Sequence, residues 1–478
     1  MSESSVIPLA HPAVPALRDV VPASIPLGPD GVTHIEGVSA ARIAEQFGSP
    51  TWVVSRTQIR SNLQTLRDAT AAHLGAVEIA YSMKANNNLS VLRTVAAEGV
   101  LFDCSSEWEL RMVLRAGIAG NRVILNGNGK SAGYLALAVD AGVRQINVDS
   151  LAEVHRLDEL AERAGRRVSC VVRVKLTYSR LLEHDPSYER TLRVAEAKFG
   201  SSIANGEAIA IIDAIQASPW LEFRGLSHHA GFPGYRANYT PDHQLVHVRE
   251  CVREMAEFAG LLAQRGDPVE RLDVGGGLRS GEHVVISTPG DGHDVALHPL
   301  PTPEAYAAAL AAGLDDGWTE GPRPIIQYET GGFHVANAGV LLTTVQDVKE
   351  SVFPTKRRFV TVDSAMTMFT TRGSSRVGYP VVAVGKPDGT TPHSTPVEIV
   401  GPTCAYDSIA EDISLPDVEP GDLLALLNQG AYAETTSTQF NGFPRPAVVM
   451  VDGDQAWLVR RREELADILA REVEEASR

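Results

Sequence analysis

A lysine follows an apolar stretch in the segment VEIAYSMKA, which predicts a strand that ends near Lys84. At the carboxyl end of a strand in a parallel barrel, a lysine points into a confined region where its amine can form a Schiff base. Taken alone, the pattern also suits a solvent-exposed lysine, which is the commoner case. Lys84 therefore becomes a catalytic candidate only in combination with other residues.

Three consecutive glycines, Gly275, Gly276 and Gly277, follow the short strand pattern RLDV. Glycines in a row let backbone N–H groups approach a phosphate because no Cβ obstructs it. An ordinary tight turn would contain the same residues. The two interpretations separate only when the rest of the chain is considered.

The Lys84 segment YSMKAN resembles the YxxKAN motif of the fold-type-III pyridoxal-phosphate decarboxylases, such as diaminopimelate and ornithine decarboxylases. Further segments match that family in its order, over roughly residues 40–455. They are FDCSSEWEL, KFG, GLSHHAG, DVGGGL, YETGGFHVANAG, GPTC, and GAY with FNGF. The resemblance implies pyridoxal 5'-phosphate as the cofactor, bound through Lys84, and decarboxylation of an amino acid as the reaction.

The resemblance also implies roles for individual residues. Glu329 matches the glutamate that pairs with the pyridine nitrogen, which keeps the ring able to accept the electrons released with carbon dioxide. His229 matches the histidine that stacks on the ring, Asp103 an acidic residue near the lysine, and Gly275–Gly277 the phosphate turn. Asp103 would also suit a helix cap, and the neighbouring His228 is expected to be structural.

Cys404 in GPTC matches a family loop whose thiol enters the active site of the partner subunit, where it positions substrate and returns a proton. Tyr432 matches a tyrosine that touches cofactor phosphate or substrate. Both assignments imply a homodimer with shared active sites. The other cysteines, Cys104, Cys170 and Cys251, are expected to be inert, because the spacing of the four fits neither a disulfide framework nor a metal site.

Three positions depart from the family pattern. Gly332 replaces an arginine that contacts an anionic group, and Phe232 replaces a small residue, usually serine. Ala405 replaces an acidic residue after the loop cysteine, although Asp407 is close by in sequence.

These departures remove a bidentate anion clamp and a hydroxyl donor. Phosphate binding should then depend more on the glycine turn or on Arg236 or Arg279. Loss of the loop carboxylate disfavours a diamine-type substrate. We therefore predict a less common amino acid, or an amino-acid unit in a larger intermediate, with the housekeeping meso-diaminopimelate reaction as the alternative.

The chain pattern indicates how these residues are positioned. Short apolar strands alternate with helical segments from Pro50 to about Tyr328, which is typical of a parallel βα barrel. After Gly339, strands separated by turns predict an antiparallel β domain, and RREELADILAREVEEA predicts a closing helix over 461–476. The predicted fold is α/β: a (β/α)8 TIM-like barrel with a C-terminal antiparallel β domain, as in the alanine-racemase-like fold type III.

The predicted divisions are a loosely ordered leader at 1–30, the first β-domain strand and barrel entry at 31–55, the cofactor-binding barrel at 56–335 and the β domain with its helix at 336–478. A net charge of -16 disfavours a nucleic-acid partner. No apolar run approaches the roughly 18 residues that span a membrane, and the leader lacks the features of a secretory signal. A cytoplasmic enzyme with a small-molecule amino-acid substrate is expected.

Two other functions are compatible with parts of this pattern. Fold-type-III racemases share the barrel and the lysine, but they pair the pyridine nitrogen with arginine, whereas Glu329 and GPTC follow the decarboxylases. A catalytically silent homologue that regulates through protein contacts would explain Gly332 and Phe232. Retention of Lys84, Glu329, Cys404 and Tyr432 together favours the enzyme.

Overall fold

The protein is described here by a computed structural model. It describes residues 27–28, 31–32, 34–184, 186, 189, 198–231, 240–280, 283–287, 295–319, 321–352, 356–368, 376–378, 380–386, 397–404, 407–413 and 415–473. The predicted leader at 1–30 lies almost entirely outside these residues.

Eight parallel strands form a closed barrel, which confirms the predicted fold class. Each strand pairs with the next, and the eighth pairs with the first through Ile326 and Val77. In order, the first to eighth barrel strands are Val77–Ser82, Leu101–Cys104, Val123–Leu125, Gln145–Val148, Val168–Lys175, Leu221–Ser227, Arg271–Asp273 and Ile325–Thr330. Closure brings the carboxyl ends of all eight strands around one opening, where barrel enzymes place their chemistry.

Helices surround the barrel and connect its strands. They are Arg56–Leu74, Leu89–Ala97, Glu107–Arg115, Ala132–Ala141, Leu151–Ala164, Glu207–Ala217, Pro241–Arg265 and Pro303–Gly317. Several begin at a serine whose hydroxyl accepts a backbone N–H of the first turn, as Ser106 does from Glu109 and Ser150 from Glu153. Their apolar faces pack on the barrel, and the interior includes the fully buried Tyr81 and Phe102.

A second, mostly antiparallel sheet lies beside the barrel. Its strands, in spatial order, are Ser408–Ile413, Val397–Val400, Arg357–Val362, Gly339–Ser351, Thr51–Ser55, Ala447–Asp452 and Gln455–Arg460. Leu423–Leu426 pairs with Gly339–Ser351 and with Val381–Ala383. Thr51–Ser55, which precedes the barrel in sequence, is a central strand here and ties the two parts of the chain together.

Two features differ from the sequence-based expectation. Strands His283–Ser287 and Val295–Pro299 form a small antiparallel sheet with Arg376–Gly378 that was not predicted. The closing helix predicted over 461–476 is wrong in extent. In the described part of that segment, residues 461–473, only Leu465–Ile468 is helical. Leu465, Leu469 and Val473 are 69%, 49% and 90% exposed, so no packed apolar face stabilises a longer helix.

Candidate active site

Lys84 lies just beyond the first barrel strand, at the barrel opening. The buried Tyr81 hydroxyl donates to the Asn86 carbonyl at 2.8 Å, which holds the turn that carries the lysine. Lys84 Nζ is 3.9 Å from Asp103 Oδ2, and 45% of its side chain is exposed while that of Asp103 is 2% exposed. Desolvation lowers the pKa of the Lys84 ammonium, but nearby acidic groups, Asp103 foremost, raise it more, so the pKa lies above its usual value.

A cavity of about 380 Å³ opens in front of Lys84. This volume lies within the usual range for small-molecule sites. The predicted site residues Lys84, Asp103, His229 and Glu329 all line it. The other lining residues are Ser105, Asn126, Gly127, Asn128, Arg173, Phe199, Ser227 and His228.

Three buried carboxyl groups lie together beside this cavity. Asp103, Asp273 and Glu329 are 2%, 0% and 8% exposed, and they lie at the ends of the second, seventh and eighth barrel strands. Burial, the charge of Asp103 and that of Asp273 raise the pKa of Glu329 well above its usual range. Burial also raises the pKa of Asp273 to about 6, against opposing hydrogen bonds that include one with Glu329. Burial beside other acidic groups therefore disfavours the charged forms of both carboxyl groups.

Two buried asparagines connect these carboxyl groups. Asn126 Nδ2 donates to Asp103 Oδ1 at 2.8 Å and to Glu329 Oε1. Asn147 Nδ2 donates to Asn126 Oδ1 at 2.9 Å and to Asp273 Oδ2 at 2.8 Å. The polar groups at the ends of five barrel strands thus form one continuous network.

The glycine turn packs directly against His229 and Glu329. A Cβ on Gly275 would lie 2.6 Å from His229 Nδ1, and one on Gly276 would lie 2.0 Å from the Glu329 carbonyl oxygen. Gly275 N–H donates to Asp273 and Gly276 N–H to His229 Nδ1. For the Gly277 N–H, no partner is found in the described part of the chain. Only glycine allows this close approach, and none of the three predicted phosphate-turn glycines lines the cavity.

The two adjacent histidines have different environments. His228 is 1% exposed; its ring nitrogens lie 3.1 Å from the Val174 carbonyl and 3.1 Å from the Tyr178 hydroxyl. Burial lowers the pKa of His228 to about 4 and that of His229 well below its usual range. Both imidazoles are therefore neutral at pH 7. His228, expected to be structural, has these two contacts and also lines the cavity.

Glu109 lies behind Asp103 in the first turn of the following helix. Its Oε2 accepts the Ser105 N–H at 2.6 Å. Burial, together with the charge of Asp103, raises the pKa of Glu109 to about 7, although the Ser105 hydrogen bond and Lys84 lower it. Glu109 therefore titrates in the physiological range beside the candidate lysine.

Tyr432 reaches the barrel opening from the second sheet. Its backbone N–H donates to the Ala85 carbonyl at 2.7 Å, and Thr435 Oγ1 donates to the Lys84 carbonyl at 3.0 Å. Tyr432 has a φ of 61°, a left-handed conformation that is rare for a residue with a side chain. These contacts place Tyr432 next to the Lys84 segment, although it does not line the cavity.

Cys404 is exposed and is not part of the cavity lining of its own chain. Its Sγ is 3.5 Å from Asn441 Oδ1. Cys104, Cys170 and Cys251 are buried, and burial raises the pKa of the Cys170 thiol, as it does for Cys104. The structure therefore does not bring Cys404 together with Lys84 within one chain.

The positions that depart from the family pattern are partly described. A Cβ on Gly332 would be 3.9 Å from Tyr432 Cε2, so a longer side chain there would run along the tyrosine ring. Asp407 is 5% exposed, and its carboxylate accepts the Thr403 and Met366 N–H groups, so it fixes the GPTC loop. Arg279 is half-buried. Phe232, Ala405 and Arg236 lie outside the described residues.

Sequence reasoning assigned no role to Asn126, Asn147, Asp273, Glu109 or Arg173. Arg173 lines the cavity, and its guanidinium carbon lies 4.3 Å from the centre of the Phe199 ring. Four of the five lie at or just after the carboxyl end of a barrel strand, where a polar residue indicates function rather than stability. Their place at the carboxyl ends of predicted barrel strands is the sequence signal that could have identified these four residues.

Comparisons with known proteins agree with this geometry. A family model described as pyridoxal-dependent decarboxylase, pyridoxal binding domain, matches residues 56–336. The chain is 33% identical over 449 residues to the diaminopimelate decarboxylase of Pseudomonas fluorescens, with 92% of this chain and 97% of that protein covered. It is 33% identical over 448 residues to the diaminopimelate decarboxylase of Actinosynnema pretiosum subsp. auranticum, with 93% of each covered.

A solved structure gives the same result for the fold. The crystal structure of diaminopimelate decarboxylase from M. jannaschii in co-complex with L-lysine matches with a TM-score of 0.76 and 25% identity, covering 92% of this chain and 95% of that one. Within the described residues, no helix has the length and apolar character needed to cross a membrane. The family match extends over more than half of the chain, and the relatives match nearly all of it. The chain therefore belongs to the pyridoxal-dependent decarboxylase family and is an enzyme of its carbon–carbon lyase class.

Proposed function

We propose that this enzyme binds pyridoxal 5'-phosphate through Lys84 and decarboxylates an amino acid whose distal end is not a simple ammonium or a free amino-acid head group, unlike those of ornithine, lysine and meso-diaminopimelate. One observation carries the cofactor assignment. An amine at the mouth of a closed barrel faces a cavity of about 380 Å³ that also contains Glu329 and His229.

The residues present fit this cofactor. Glu329 is a buried carboxyl group in the lining of the cavity, so it is suited to pair with a ring nitrogen. His229 is neutral and offers an aromatic face that does not repel a cationic ring. The Gly277 N–H, for which the described residues offer no partner, suits a phosphate oxygen. When bound, the cofactor supplies an electron sink for the pair released as carbon dioxide leaves.

Lys84 must lose a proton before its amine can react. Its raised pKa means that the ammonium predominates at neutral pH, held 3.9 Å from the Asp103 carboxylate. Asp103 is therefore assigned to orient Lys84 and to stabilise its charged form. Proton loss from Lys84 should limit how fast the free chain takes up the cofactor.

We assign the return of a proton to the substrate carbon to Cys404 of the partner subunit, in a homodimer. In its own chain Cys404 is exposed and outside the cavity, as required of a group that acts in a neighbouring site. Asp407 holds the loop that carries it. Tyr432, anchored to Ala85, is assigned to the phosphate or the substrate.

The substrate assignment rests on missing polar groups. Gly332 has no guanidinium to clamp an anion, and Asp407 is occupied by backbone N–H groups, so it does not replace the carboxylate absent at Ala405. Where a site is built around a polar partner, its loss costs roughly 10⁴ to 10⁵ in discrimination. The names of the relatives favour a second candidate, the meso-diaminopimelate reaction itself. We place either reaction in the cytoplasm.

Carbon dioxide release from a panel of L-, D- and meso-amino acids distinguishes these candidates, with Lys84→Ala as the inactive control. We expect poor activity on ornithine, lysine and meso-diaminopimelate, and better activity on a bulkier or carboxylate-bearing amino acid. A kcat/KM on meso-diaminopimelate of about 10⁴ M⁻¹s⁻¹ or above would overturn the substrate assignment in favour of the second candidate. Cofactor binding without turnover of any amino acid would favour a silent homologue.

A further inference from the structure

The three buried carboxyl groups at the cavity create an electrostatic problem. Asp103, Asp273 and Glu329 are all less than 9% exposed, and Lys84 Nζ is 3.9 Å from Asp103 Oδ2. Negative charges that share a buried site repel one another and resist ionisation. Glu329 can act as an anion toward a ring nitrogen only if other groups stabilise its charge.

Asn126 meets this requirement. Its amide nitrogen has two protons and lies within hydrogen-bond distance of both Asp103 Oδ1, at 2.8 Å, and Glu329 Oε1. Asn126 is 5% exposed, so water does not replace these bonds. Hydrogen bonds donated to a carboxylate favour its charged form.

The orientation of the Asn126 amide is fixed from the other side. Its Oδ1 accepts the Asn147 amide at 2.9 Å, and a flipped Asn126 would turn that oxygen toward two carboxylates. Asn147 is itself anchored, because Lys130 Nζ donates to its backbone carbonyl at 2.7 Å. Lys130 is held in turn by an ion pair of 2.7 Å with Glu153, in which both side chains are 1% exposed.

We propose that Asn126 is a positioning residue that holds Glu329 in the orientation in which it pairs with the cofactor's ring nitrogen, by donating one amide proton to Glu329 and the other to Asp103. The inference rests on the proposed role of Glu329. Asn126 sits one residue beyond the third barrel strand, so the rigid barrel sets its position relative to Glu329 on the eighth strand.

Two variants separate hydrogen bonding from shape. Asn126→Leu has a similar size and no donor, and Asn126→Asp has nearly the same shape and becomes a donor only when protonated. Asn121→Ala is the matched control, because Asn121 is exposed and lies before the opposite end of the same strand. Glu329→Gln tests the group that Asn126 is proposed to hold.

The Kd of the apoprotein for pyridoxal 5'-phosphate is measured by absorbance at several pH values between 6 and 9. Thermal unfolding of each variant verifies its fold. Asn126→Leu should raise the Kd roughly 10- to 100-fold at every pH, the worth of one hydrogen bond to a charged group. Asn126→Asp should show a loss that is greatest at pH 9 and shrinks as the pH falls, because the protonated carboxyl can donate. Asn121→Ala should bind as the wild type does.

Wild-type affinity in Asn126→Asp at pH 9 would overturn the proposal, and so would wild-type affinity in Asn126→Leu. If Asn126→Leu does not fold, the pH dependence of the isosteric Asn126→Asp decides. Glu329→Gln separates the proposed role of Asn126 from the proposed role of Glu329. If it weakens binding while the Asn126 variants do not, only the role of Asn126 is wrong; if it binds normally, the proposed role of Glu329 is wrong.

Discussion

Glu109 offers a quantitative test of the electrostatics at the site. Its pKa of about 7 in the folded chain exceeds its ordinary value of 4.5, so ionisation opposes folding. Stability is lost as the pH rises from about 4.5 to about 7, and the loss is then constant at about 3 kcal/mol, from 1.36 kcal/mol per pKa unit. Glu109→Gln removes this cost, and the amide oxygen can still accept the Ser105 N–H.

The expected result is a stabilisation by Glu109→Gln that is near zero at pH 4.5 and reaches about 2 to 3 kcal/mol at pH 8. For a chain of 478 residues the unfolding entropy is about 1 kcal/mol/K, so the thermal midpoint should rise by about 2 to 3 °C. Scanning calorimetry of the apoprotein measures it. Glu107→Gln is the control, because Glu107 forms a surface ion pair of 2.6 Å with Arg111. An equal shift of the thermal midpoint at pH 5 and pH 8, or destabilisation at pH 8, would show that the pKa of Glu109 is not raised in the folded chain.

Four further predictions concern the cofactor and the subunits. Lys84→Ala should abolish the covalent cofactor bond and nearly all turnover without unfolding the chain; circular dichroism and carbon dioxide release check this, and normal turnover would refute it. The rate of cofactor uptake by the apoprotein should rise roughly tenfold per pH unit between pH 7 and 9, because the neutral Lys84 amine increases by that factor below its raised pKa; a flat rate measured by stopped-flow absorbance would contradict it. Mixing Lys84→Ala and Cys404→Ala chains should restore part of the activity, whereas an inactive mixture under demonstrated subunit exchange would exclude shared sites. Phe232→Ser should change the cofactor Kd more than Phe232→Leu does, and equal effects would remove Phe232 from the phosphate side.

Much of the architecture could be predicted from the sequence because the barrel strands are short, apolar and bounded by turn residues. VEIAYS, VIL and SCVVRVK all proved to lie in barrel strands. The closing helix was mispredicted for a physical reason. Its residues have helical spacing, but Leu465 and Val473 are exposed, and periodicity alone does not create a surface on which a helix can pack.

The candidate site was predictable where motifs carry chemistry and unpredictable where contacts depend on closure of the barrel. Lys84, Asp103, His229 and Glu329 converge on one cavity, as the motif order suggested. The link from Asn126 to Glu329 joins residues 203 positions apart, and no local pattern encodes it. Cys404 lies outside that cavity, and its proposed role depends on a partner subunit that the sequence of one chain does not describe.

Every proposed role in this site depends on Lys84 carrying the cofactor. Borohydride reduction of the protein after incubation with pyridoxal 5'-phosphate, followed by proteolysis and mass spectrometry, tests it most directly. The imine absorption band should disappear, and the added mass should be found on the peptide containing Lys84. Modification of a different lysine in place of Lys84, or no modification of a protein that still releases carbon dioxide from an amino acid, would contradict it.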